Sequence, residues 1–346
     1  MTIVDSAAID IAARLLEDGR LVAFPTETVY GLGADAENPE AVAAIYQVKE
    51  RPSTHPVIVH ISPEADPGYW ALDVNADARR LIADFWPGPL TLILPKATHV
   101  PDAATGGQSS IGLRCPSHPV AQALLRAFKA GHGGIAAPSA NRFGRVSPTT
   151  AQHVRDEFGD SPLVAYILDG GQSNVGIEST ILDLSRGTPV LLRPGYVEAA
   201  AIAESIGRWP ESQDAGAPRA SGTLASHYAP QTALTILSRS MLAPTIDRLL
   251  QEGSKVALMH HTELEQLIDP ARIAGLAGRA PMSFDPERYA HDLYAGLRRL
   301  DQLGADLIVI EELPHLDQWR AIEDRIGRAA HSTLDLHAQL AWLPAI

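Results

Sequence analysis

Apolar and polar positions along the chain predict short strands interleaved with amphipathic helices. Residues 6–18 carry apolar side chains at helical spacing, and Gly19 ends that helix. The run LVAF at residues 21–24 is short and continuous, as in a buried strand, and residues 39–48 begin at a proline, which is favoured in the first helical turn. By the same criteria, further strands are predicted at residues 56–62, 90–95, 109–116, 133–141, 164–171, 178–185 and 189–195, and further helices at residues 77–86, 119–128, 150–158 and 198–207.

The order of these elements predicts the fold class and the domains. Because strands and helices interleave without strict alternation, residues 1–207 are expected to form an α/β domain with a mixed, twisted sheet. Residues 208–232 are rich in Gly, Ser, Ala and Pro and are interpreted as an interdomain linker, which carries the sequence SHYAP. Strands and helices after it have βαβ character, so residues 233–346 are expected to form a smaller α/β, Rossmann-like domain.

Composition narrows the class of protein. A formal net charge of -13 argues against a general attraction to nucleic acid, because phosphate binding depends on clustered Lys and Arg, although a local basic cleft stays compatible with it. Cys115 is the only cysteine, which excludes an internal disulfide and a cysteine-based zinc site. The N-terminal stretch does not resemble a secretory signal, and no apolar run reaches the length of a membrane helix. We therefore expect a cytoplasmic protein without structural metal.

Polar side chains follow the first buried strand in the segment FPTETVYGLG. Thr26, Glu27 and Thr28 come directly after LVAF, and Gly31 and Gly33 permit a close approach of the backbone. Ligands commonly bind at strand ends in open α/β sheets, so this segment is a candidate for ligand contacts. The competing interpretation is that the hydroxyl groups only satisfy a turn.

The segment VKERPSTHPVIVHIS is unusually basic for an acidic chain. Lys49 and Arg51 cannot continue the preceding helix past Pro52, so they are expected to project from a turn. His60 alternates with its apolar neighbours in the following strand and therefore faces the other side of it. An anion site and a solvated cationic turn with a structural histidine are both compatible with this pattern.

Two further arginines lie at strand margins. In SSIGLRCP, Arg114 shares a face with Ser110 and Gly112, which suits a bidentate contact to a carboxylate or phosphate, whereas a buried structural ion pair is the alternative. Arg193 ends the strand in LLRPG. Together with Arg51 they favour an anion with more than one charge. Neutral donors and acceptors occur in two other turns, at Ser139, Asn141, Ser147, Ser179 and Thr180.

Seven of these segments in series resemble the threonylcarbamoyl-AMP synthase family, the YrdC-like domain proteins. They are FPTETVYGLGADA, KERPSTHPVIVHI, WPGPLTLIL, IGLRCPSHPVAQALL, APSANRFGRVSPTTAQHV, IESTILDL and LLRPG. The likeness covers roughly residues 5 to 200, and SHYAP with the trailing α/β domain resembles the longer, two-domain members. The resemblance implies a YrdC-like domain with a concave ligand site.

The resemblance also implies a reaction. L-threonine, bicarbonate and ATP would give threonylcarbamoyl-adenylate and pyrophosphate, and partner transferase proteins would place the threonylcarbamoyl group on tRNA. Such a nucleotidyltransferase step needs positioning and charge neutralisation more than a covalent nucleophile. Mg²⁺ would arrive with the ATP phosphates and need no protein ligand.

Site residues implied by the resemblance fall into two groups. L-threonine would contact Thr28, His60, Arg114 and Ser179. ATP would contact Lys49, Arg51, His55, Ser110, Ser139, Asn141, Ser147, Arg193 and Tyr228, with the last closing over the nucleotide from the linker. Lys49, Arg51 and Arg114 would do the positioning, without a covalent catalytic residue. The family commonly has Asn in place of His55, and the long form often has Pro-Gly-Met before its His-Tyr pair, where this chain reads ASGTLASHYAP.

Three alternatives stay open from the sequence. A related domain occurs in a carbamoyl-transferring enzyme of hydrogenase maturation, but that enzyme needs zinc-finger cysteines. An RNA-binding module without turnover is a second alternative, and a small-molecule-binding regulator is a third. Weak RNA binding is also compatible with the enzyme. The absence of a G-x-x-x-x-G-K-[ST] motif excludes a P-loop mode of holding the nucleotide.

Overall fold

The structure is a computed structural model that describes residues 5–223 and 227–331. These residues form two compact units. The first comprises residues 5–143 and 147–223, and the second comprises residues 144–146 and 227–331. The division after Thr223 falls inside the segment predicted as a linker, so residues 208–223 belong to the first unit.

A mixed sheet of ten strands forms the centre of the first unit. Its strands are β1 (Leu21–Phe24), β2 (Gly31–Asp35), β3 (Ile58–Ile61), β4 (Leu90–Pro95), β5 (Ser110–Arg114), β6 (Gly134–Ala136), β7 (Val164–Ile167), β8 (Thr180–Asp183), β9 (Val190–Arg193) and β10 (Glu211–Ser212). They lie in the order β10-β9-β8-β4-β5-β3-β6-β2-β1-β7. Parallel pairs such as β3 with β5 occur beside antiparallel pairs such as β4 with β5. The predicted mixed sheet is therefore confirmed.

Helices pack on both faces of this sheet. They are α1 (Ser6–Glu17), α2 (Pro39–Lys49), α3 (Pro67–Trp70), α4 (Ala76–Phe85), α5 (Asp102–Thr105), α6 (Pro119–Ala127), α7 (Ala151–Phe158) and α8 (Ala199–Ile206), with a 3₁₀ turn at Phe128–Gly131. In β1, Val22 and Phe24 pack in a cluster with α1 and α6, whereas Leu21 and Ala23 pack in one with α2 and α7. Burial on both faces explains why LVAF is apolar throughout.

Strand β2 was not predicted, because the residues after LVAF were interpreted as a polar turn in which Gly31 and Gly33 permit a close approach of the backbone. The structure pairs β2 with β1, with Gly33 opposite Val22. A Cβ atom on Gly33 would lie 2.8 Å from Ile135 Cγ2 and 2.9 Å from Phe24 Cε1. This glycine is therefore needed for side-chain packing across the sheet and not for a turn.

The second unit contains a smaller parallel sheet. Its strands are β11 (Ala233–Leu237), β12 (Val256–His260), β13 (Gly278–Pro281) and β14 (Leu307–Glu311), and they lie in the order β11-β14-β12-β13. Its helices are α9 (Arg239–Gln251), α10 (Pro270–Ala274), α11 (Pro286–Asp301) and α12 (Arg320–His331). Two 3₁₀ turns occur at Leu264–Gln266 and Asp317–Trp319. All three neighbouring strand pairs are parallel. The predicted smaller α/β domain is confirmed, and no described helix in either unit is long and apolar enough to cross a membrane.

Helices α9 and α10 and strand β13 of the second unit escaped prediction, and proline explains the misses of α9 and β13. Helix α9 contains Pro244, and a proline inside a helical stretch weakens a sequence-based helix assignment. Strand β13 ends at Pro281 and lies at the edge of its sheet, where a missing backbone donor is tolerated. Both misses follow from proline in a position that the tertiary structure accommodates.

Candidate active site

His60 and Arg114 come from different sequence segments and lie side by side. Strands β3 and β5 are parallel neighbours, and their register pairs the Cα atoms of these two residues. Both side chains are buried, with 3% and 4% of their residue surface exposed. A histidine and an arginine that the sequence analysis assigned to one ligand are thus adjacent in the sheet.

The imidazole of His60 is uncharged at neutral pH. Burial, with a smaller contribution from the Arg114 charge, lowers the pKa of His60 from 6.5 to about 3. Its ring meets the Phe24 ring edge-on, with 6.0 Å between the centroids. Within the described residues, His60 Nδ1 has no hydrogen-bond partner. The ring therefore offers an unused nitrogen in a dry environment, which suits a neutral hydrogen bond to a ligand.

Two protein groups hold the Arg114 guanidinium. Its Nε donates to the backbone oxygen of Gly88 at 3.3 Å, and its Nη2 forms an ion pair with Glu27 Oε1 at 2.7 Å. The alternative of a buried ion pair, raised from the sequence, is thus present in the structure. Because a guanidinium carries five N–H donors, these contacts leave donor capacity for a carboxylate. Glu27 had been noted as a polar residue, but nothing in the sequence identified it as the partner.

The two hydroxyl residues assigned to the same ligand are fixed by other hydroxyls. Thr28 Oγ1 lies 2.9 Å from Thr26 Oγ1, and Ser179 Oγ lies 2.8 Å from Thr91 Oγ1. All four side chains are buried. Thr91 was missed by the sequence analysis, because a threonine inside an apolar strand gives no sign of its partner. Short buried hydroxyl pairs hold both groups in defined orientations.

Lys49 joins two of the predicted nucleotide segments. Its Nζ donates to the backbone oxygen of Ser139 at 2.6 Å and also to that of Asn141. The residue is 2% exposed, and burial lowers the pKa of Lys49 well below its ordinary value, with the Arg51 charge acting in the same direction. In this structure the amine therefore fixes the turn that carries Ser139 and Asn141.

Ser221 links the two arginines predicted to contact the nucleotide. Arg51 Nη2 donates to Ser221 Oγ at 3.3 Å, and Arg193 Nη1 donates to the Ser221 backbone oxygen at 2.8 Å. Arg193 also bonds Ser179, so its contacts reach the residues assigned to L-threonine. Ser221 was missed, since a serine in a Gly- and Ser-rich tract carries no local signal.

A small pocket, open to solvent, lies beside this cluster in the first unit. Its lining includes Ser110 and Gly112 from β5, Pro56 from the basic segment, and residues 219–221. Ser110 and Gly112 lie on the face of β5 opposite Ile111 and Leu113, which belong to the apolar core. The predicted alternation in β5 is confirmed, and its polar face borders an open volume.

Three other residues predicted to contact ATP, His55, Ser147 and Asn141, have hydrogen-bond partners or charged neighbours of their own. His55 is half-buried, and burial followed by the charges of Arg51 and Arg219 lowers its pKa. Ser147 Oγ donates to Glu178 Oε1 at 2.6 Å. Asn141 Nδ2 donates to the backbone oxygen of Arg142 at 2.8 Å.

Tyr228 belongs to the second unit. It is 1% exposed, its ring centroid lies 5.7 Å from that of Tyr294, and the Arg325 guanidinium lies 5.5 Å from the ring centroid. Its backbone is in the left-handed region with a φ of 63°. These contacts fix the orientation of the ring within its own unit.

The described residues also bear on two other kinds of chemistry, nucleophilic attack by a thiol and metal binding. Burial, and next the Glu27 charge, raises the pKa of the Cys115 thiol to about 12, so the thiol is protonated and is a poor nucleophile. Within residues 5–223 and 227–331, no three or more His, Cys, Asp or Glu side chains form a group that could hold a metal ion.

Two family models match consecutive parts of the chain. One, described as "Telomere recombination", covers residues 14–195, and the other, described as "Threonylcarbamoyl-AMP synthase, C-terminal domain", covers residues 197–331.

Curated relatives match over nearly the whole chain. The threonylcarbamoyl-AMP synthase of Pyrococcus abyssi is 35% identical over 340 residues, which is 94% of this chain and 95% of the relative. That of Bacillus subtilis is 38% identical over 332 residues and 92% of each chain. A crystal structure of Pyrococcus abyssi Sua5 complexed with L-threonine matches with a TM-score of 0.84 and 34% identity, covering 94% of this chain and 95% of the other.

Proposed function

This chain belongs to the threonylcarbamoyl-AMP synthase family, and on that premise we propose how its residues make threonylcarbamoyl-AMP and pyrophosphate from L-threonine, bicarbonate and ATP. It is an enzyme, a transferase that acts on small molecules in tRNA modification. We assign it to the nucleotidyltransferases, because the reaction moves an adenylyl group from ATP to a carbamate oxygen.

The observation that carries the proposal is the convergence of the residues expected to hold L-threonine. His60 and Arg114 are register partners, Arg114 is paired with the residue next to Thr28, and Ser179 is bonded to Arg193. Four separate segments of sequence thus supply buried polar side chains in two contact groups, one around Arg114 and one around Ser179. A scaffold that needed only a stable core has no reason to bury them together, because burying polar groups costs free energy.

In the amino-acid subsite, each side chain suits one group of threonine. Arg114 binds the carboxylate through its remaining N–H donors. The neutral His60 and the hydroxyls of Thr28 and Ser179 bind polar groups without adding charge. This arrangement supports the assignment of Thr28, His60, Arg114 and Ser179 to L-threonine.

In the nucleotide subsite, two arginines carry the charge. Arg51 and Arg193 both contact Ser221, a neutral residue, and a phosphate oxygen is a stronger acceptor than a hydroxyl or a peptide oxygen. We therefore assign phosphate binding to Arg51 and Arg193. Lys49 acts by holding the turn of Ser139 and Asn141, while Ser110, Ser147 and His55 retain the nucleotide contacts that the resemblance implies.

The chemistry needs no covalent intermediate with the protein. The threonine nitrogen bonds to the carbon of bicarbonate with loss of water to give a carbamate. A carbamate oxygen then attacks the α-phosphate of ATP, and the bond between the α- and β-phosphates breaks to release pyrophosphate. The residues align the two substrates and neutralise charge on the phosphates. Mg²⁺ is part of this proposal. The residues assigned to ATP are basic, neutral or aromatic and include no carboxylate, so an ion would be held by the phosphates themselves.

The proposal extends to partners and location. Threonylcarbamoyl-AMP is a mixed anhydride, so a downstream transferase that modifies tRNA is expected to consume it. We propose a cytoplasmic location, on the basis of the sequence. An RNA-binding module without turnover explains neither the buried amino-acid subsite nor the family membership.

One assay tests the function. Pyrophosphate release is measured with ATP, L-threonine and bicarbonate together and with each omitted in turn. Release should require all three and fall by at least about 100-fold in Arg114→Ala, because removing a bidentate contact to a carboxylate costs several kcal/mol. Release that does not depend on L-threonine would refute the proposal.

A further inference from the structure

Glu27 and Arg114 form a buried ion pair at the centre of the amino-acid subsite. Glu27 Oε1 lies 2.7 Å from Arg114 Nη2, and the two side chains are 6% and 4% exposed. Burying two charges is costly, and a well-packed apolar pair often stabilises a fold as much or more. The presence of this pair next to a ligand site therefore suggests a role beyond stability.

The Glu27 carboxylate is held in a fixed position. Its second oxygen, Oε2, accepts from the backbone N–H of Ser117 at 3.1 Å, and the Glu27 backbone oxygen accepts from the N–H of Val175 at 2.7 Å. Glu27 also precedes Thr28 directly in the chain. Two backbone contacts and the ion pair thus fix a negative charge beside the residues assigned to threonine.

The charges of this subsite balance only when Glu27 is counted. Thr28, Ser179 and the neutral His60 contribute no charge, and Arg114 contributes one positive charge. Among the described residues, the one carboxylate in hydrogen-bond or ion-pair contact with these four side chains is that of Glu27. Arg193, which also touches Ser179, faces the nucleotide phosphates in the proposed function. The subsite with Glu27 is therefore neutral.

We propose that Glu27 is a specificity-determining residue that makes the amino-acid subsite select a zwitterion. Threonine carries an ammonium and a carboxylate at neutral pH and has no net charge. A neutral pocket with a fixed cation and a fixed anion suits it, because each charge of the ligand has an opposite charge within reach. The same pocket disfavours an acid that lacks the ammonium, because such a ligand leaves Glu27 and its own carboxylate competing for Arg114.

This inference rests on the proposed function and is tested by binding alone. Titration calorimetry without ATP compares L-threonine with (R)-3-hydroxybutanoate, which is threonine without its ammonium group. The proteins are the wild type, Glu27→Gln and Glu27→Asp, each checked for folding by circular dichroism. Asp35→Asn is the matched control, since Asp35 is a buried carboxylate paired with Lys129 at 2.7 Å, and neither residue is assigned to a ligand.

We expect Glu27→Gln to change the preference between the two ligands and not to weaken the binding of both. Glu27→Gln should weaken L-threonine binding by at least about tenfold and leave (R)-3-hydroxybutanoate unchanged or tighter, because the pocket becomes cationic. Glu27→Asp, which keeps the charge on a shorter side chain, should shift the ratio of the two dissociation constants in the same direction but less. Asp35→Asn should leave the ratio unchanged.

Several outcomes would overturn the inference. If Glu27→Gln weakens both ligands by the same factor, Glu27 only holds Arg114 in place, and if neither changes it has no part in recognition. If Glu27→Gln does not fold, an unchanged ratio in Glu27→Asp refutes the inference. A wild-type protein that binds no L-threonine would instead refute the proposed function, so the two failures are distinguishable.

Discussion

Arg193 donates to both polar atoms of Ser179 that face it: to the backbone oxygen through Nε at 3.1 Å and Nη2 at 2.9 Å, and to Oγ through Nη2 at 3.2 Å. The residue assigned to phosphate thus directly orients one assigned to threonine. Because the guanidinium that is assigned to the phosphates also orients Ser179, a change at Arg193 is expected to affect both substrates.

The first prediction concerns Arg193→Lys. A lysine keeps the charge but lacks the planar fork, so it cannot reproduce all three contacts to Ser179. We expect KM to rise about tenfold or more for L-threonine and for ATP, since a hydrogen bond to a charged group contributes about 1.5–3 kcal/mol. Steady-state kinetics with each substrate varied measure this. Arg186→Lys, at an arginine paired with Asp183 and Asp214, is the control and should change neither KM. A rise for ATP alone would show that the subsites are independent.

The second prediction concerns acid stability and His60. The pKa of His60 is about 3 in the folded protein and about 6.5 in the unfolded chain. Between these values the unfolded state binds more protons, so the contribution of His60 to stability is complete above pH 6.5 and is lost as the pH falls toward 3. His60→Gln should therefore lose less free energy of unfolding between pH 7.5 and pH 5 than the wild type. Denaturant titrations at the two pH values measure the loss.

Burial also lowers the pKa of other groups, such as His118, and these groups are present in both proteins. The comparison with the variant removes their contribution. Equal losses in the wild type and in His60→Gln would mean that His60 is protonated in the fold, which would contradict the neutral role assigned to it.

Local patterns in the sequence were enough to predict much of the fold. Asn38 caps α2 through hydrogen bonds to the N–H groups of Glu40 and Ala41, and the proline after it begins the helix, as the pattern indicated. The alternation that placed His60 opposite Val59 and Ile61 is also confirmed, since those two residues belong to an apolar cluster that excludes His60. Such features depend on neighbours in the chain.

The parts of the site that were missed depend on distant residues. The Glu27 and Arg114 pair spans two segments far apart in sequence, and Thr91 meets Ser179 only because β4 and β8 are neighbours in the sheet. Ser221 belongs to a tract whose composition suggested a flexible linker. Spacing and periodicity do not encode which strand ends meet, so these partners required the structure.

The third prediction separates a positioning role of Lys49 from a direct contact with phosphate. Lys49→Met keeps the length of the side chain and removes the donor to Ser139 and Asn141. We expect a loss of about 1–3 kcal/mol in the free energy of unfolding, because two buried backbone oxygens lose their partner. The Ala140 amide, which donates to the Tyr30 backbone oxygen, should exchange faster with solvent. Hydrogen exchange without ATP measures this.

Lys129→Met is the control for Lys49→Met. Lys129 pairs with Asp35 and Glu37, and within the described part of the chain it makes no contact with the turn of Ser139 and Asn141, so its loss should leave the exchange of the Ala140 amide unchanged. Unchanged exchange at Ala140 in Lys49→Met would show that the amine does not hold the turn.

The fourth prediction connects core packing to the site through Gly134. A Cβ atom there would lie 2.4 Å from Trp70 Cζ2 and 2.6 Å from Val59 Cγ1, and Gly134 is the register partner of Ile61 in β3. Gly134→Ala should cost about 1–3 kcal/mol, because a packed core has no room for the methyl group. The Gly134→Ala change should also raise KM for L-threonine, because a displaced β3 moves His60.

A second variant, Trp70→Phe, tests the contact with Trp70. It removes part of the side chain that the new methyl group would meet, so the double variant should be less destabilised than the sum of the single changes by at least about 0.5 kcal/mol. Denaturant unfolding of the four proteins completes the cycle. Additive losses would show that the new methyl group does not press on Trp70, and an unchanged KM would show that β3 stays in place.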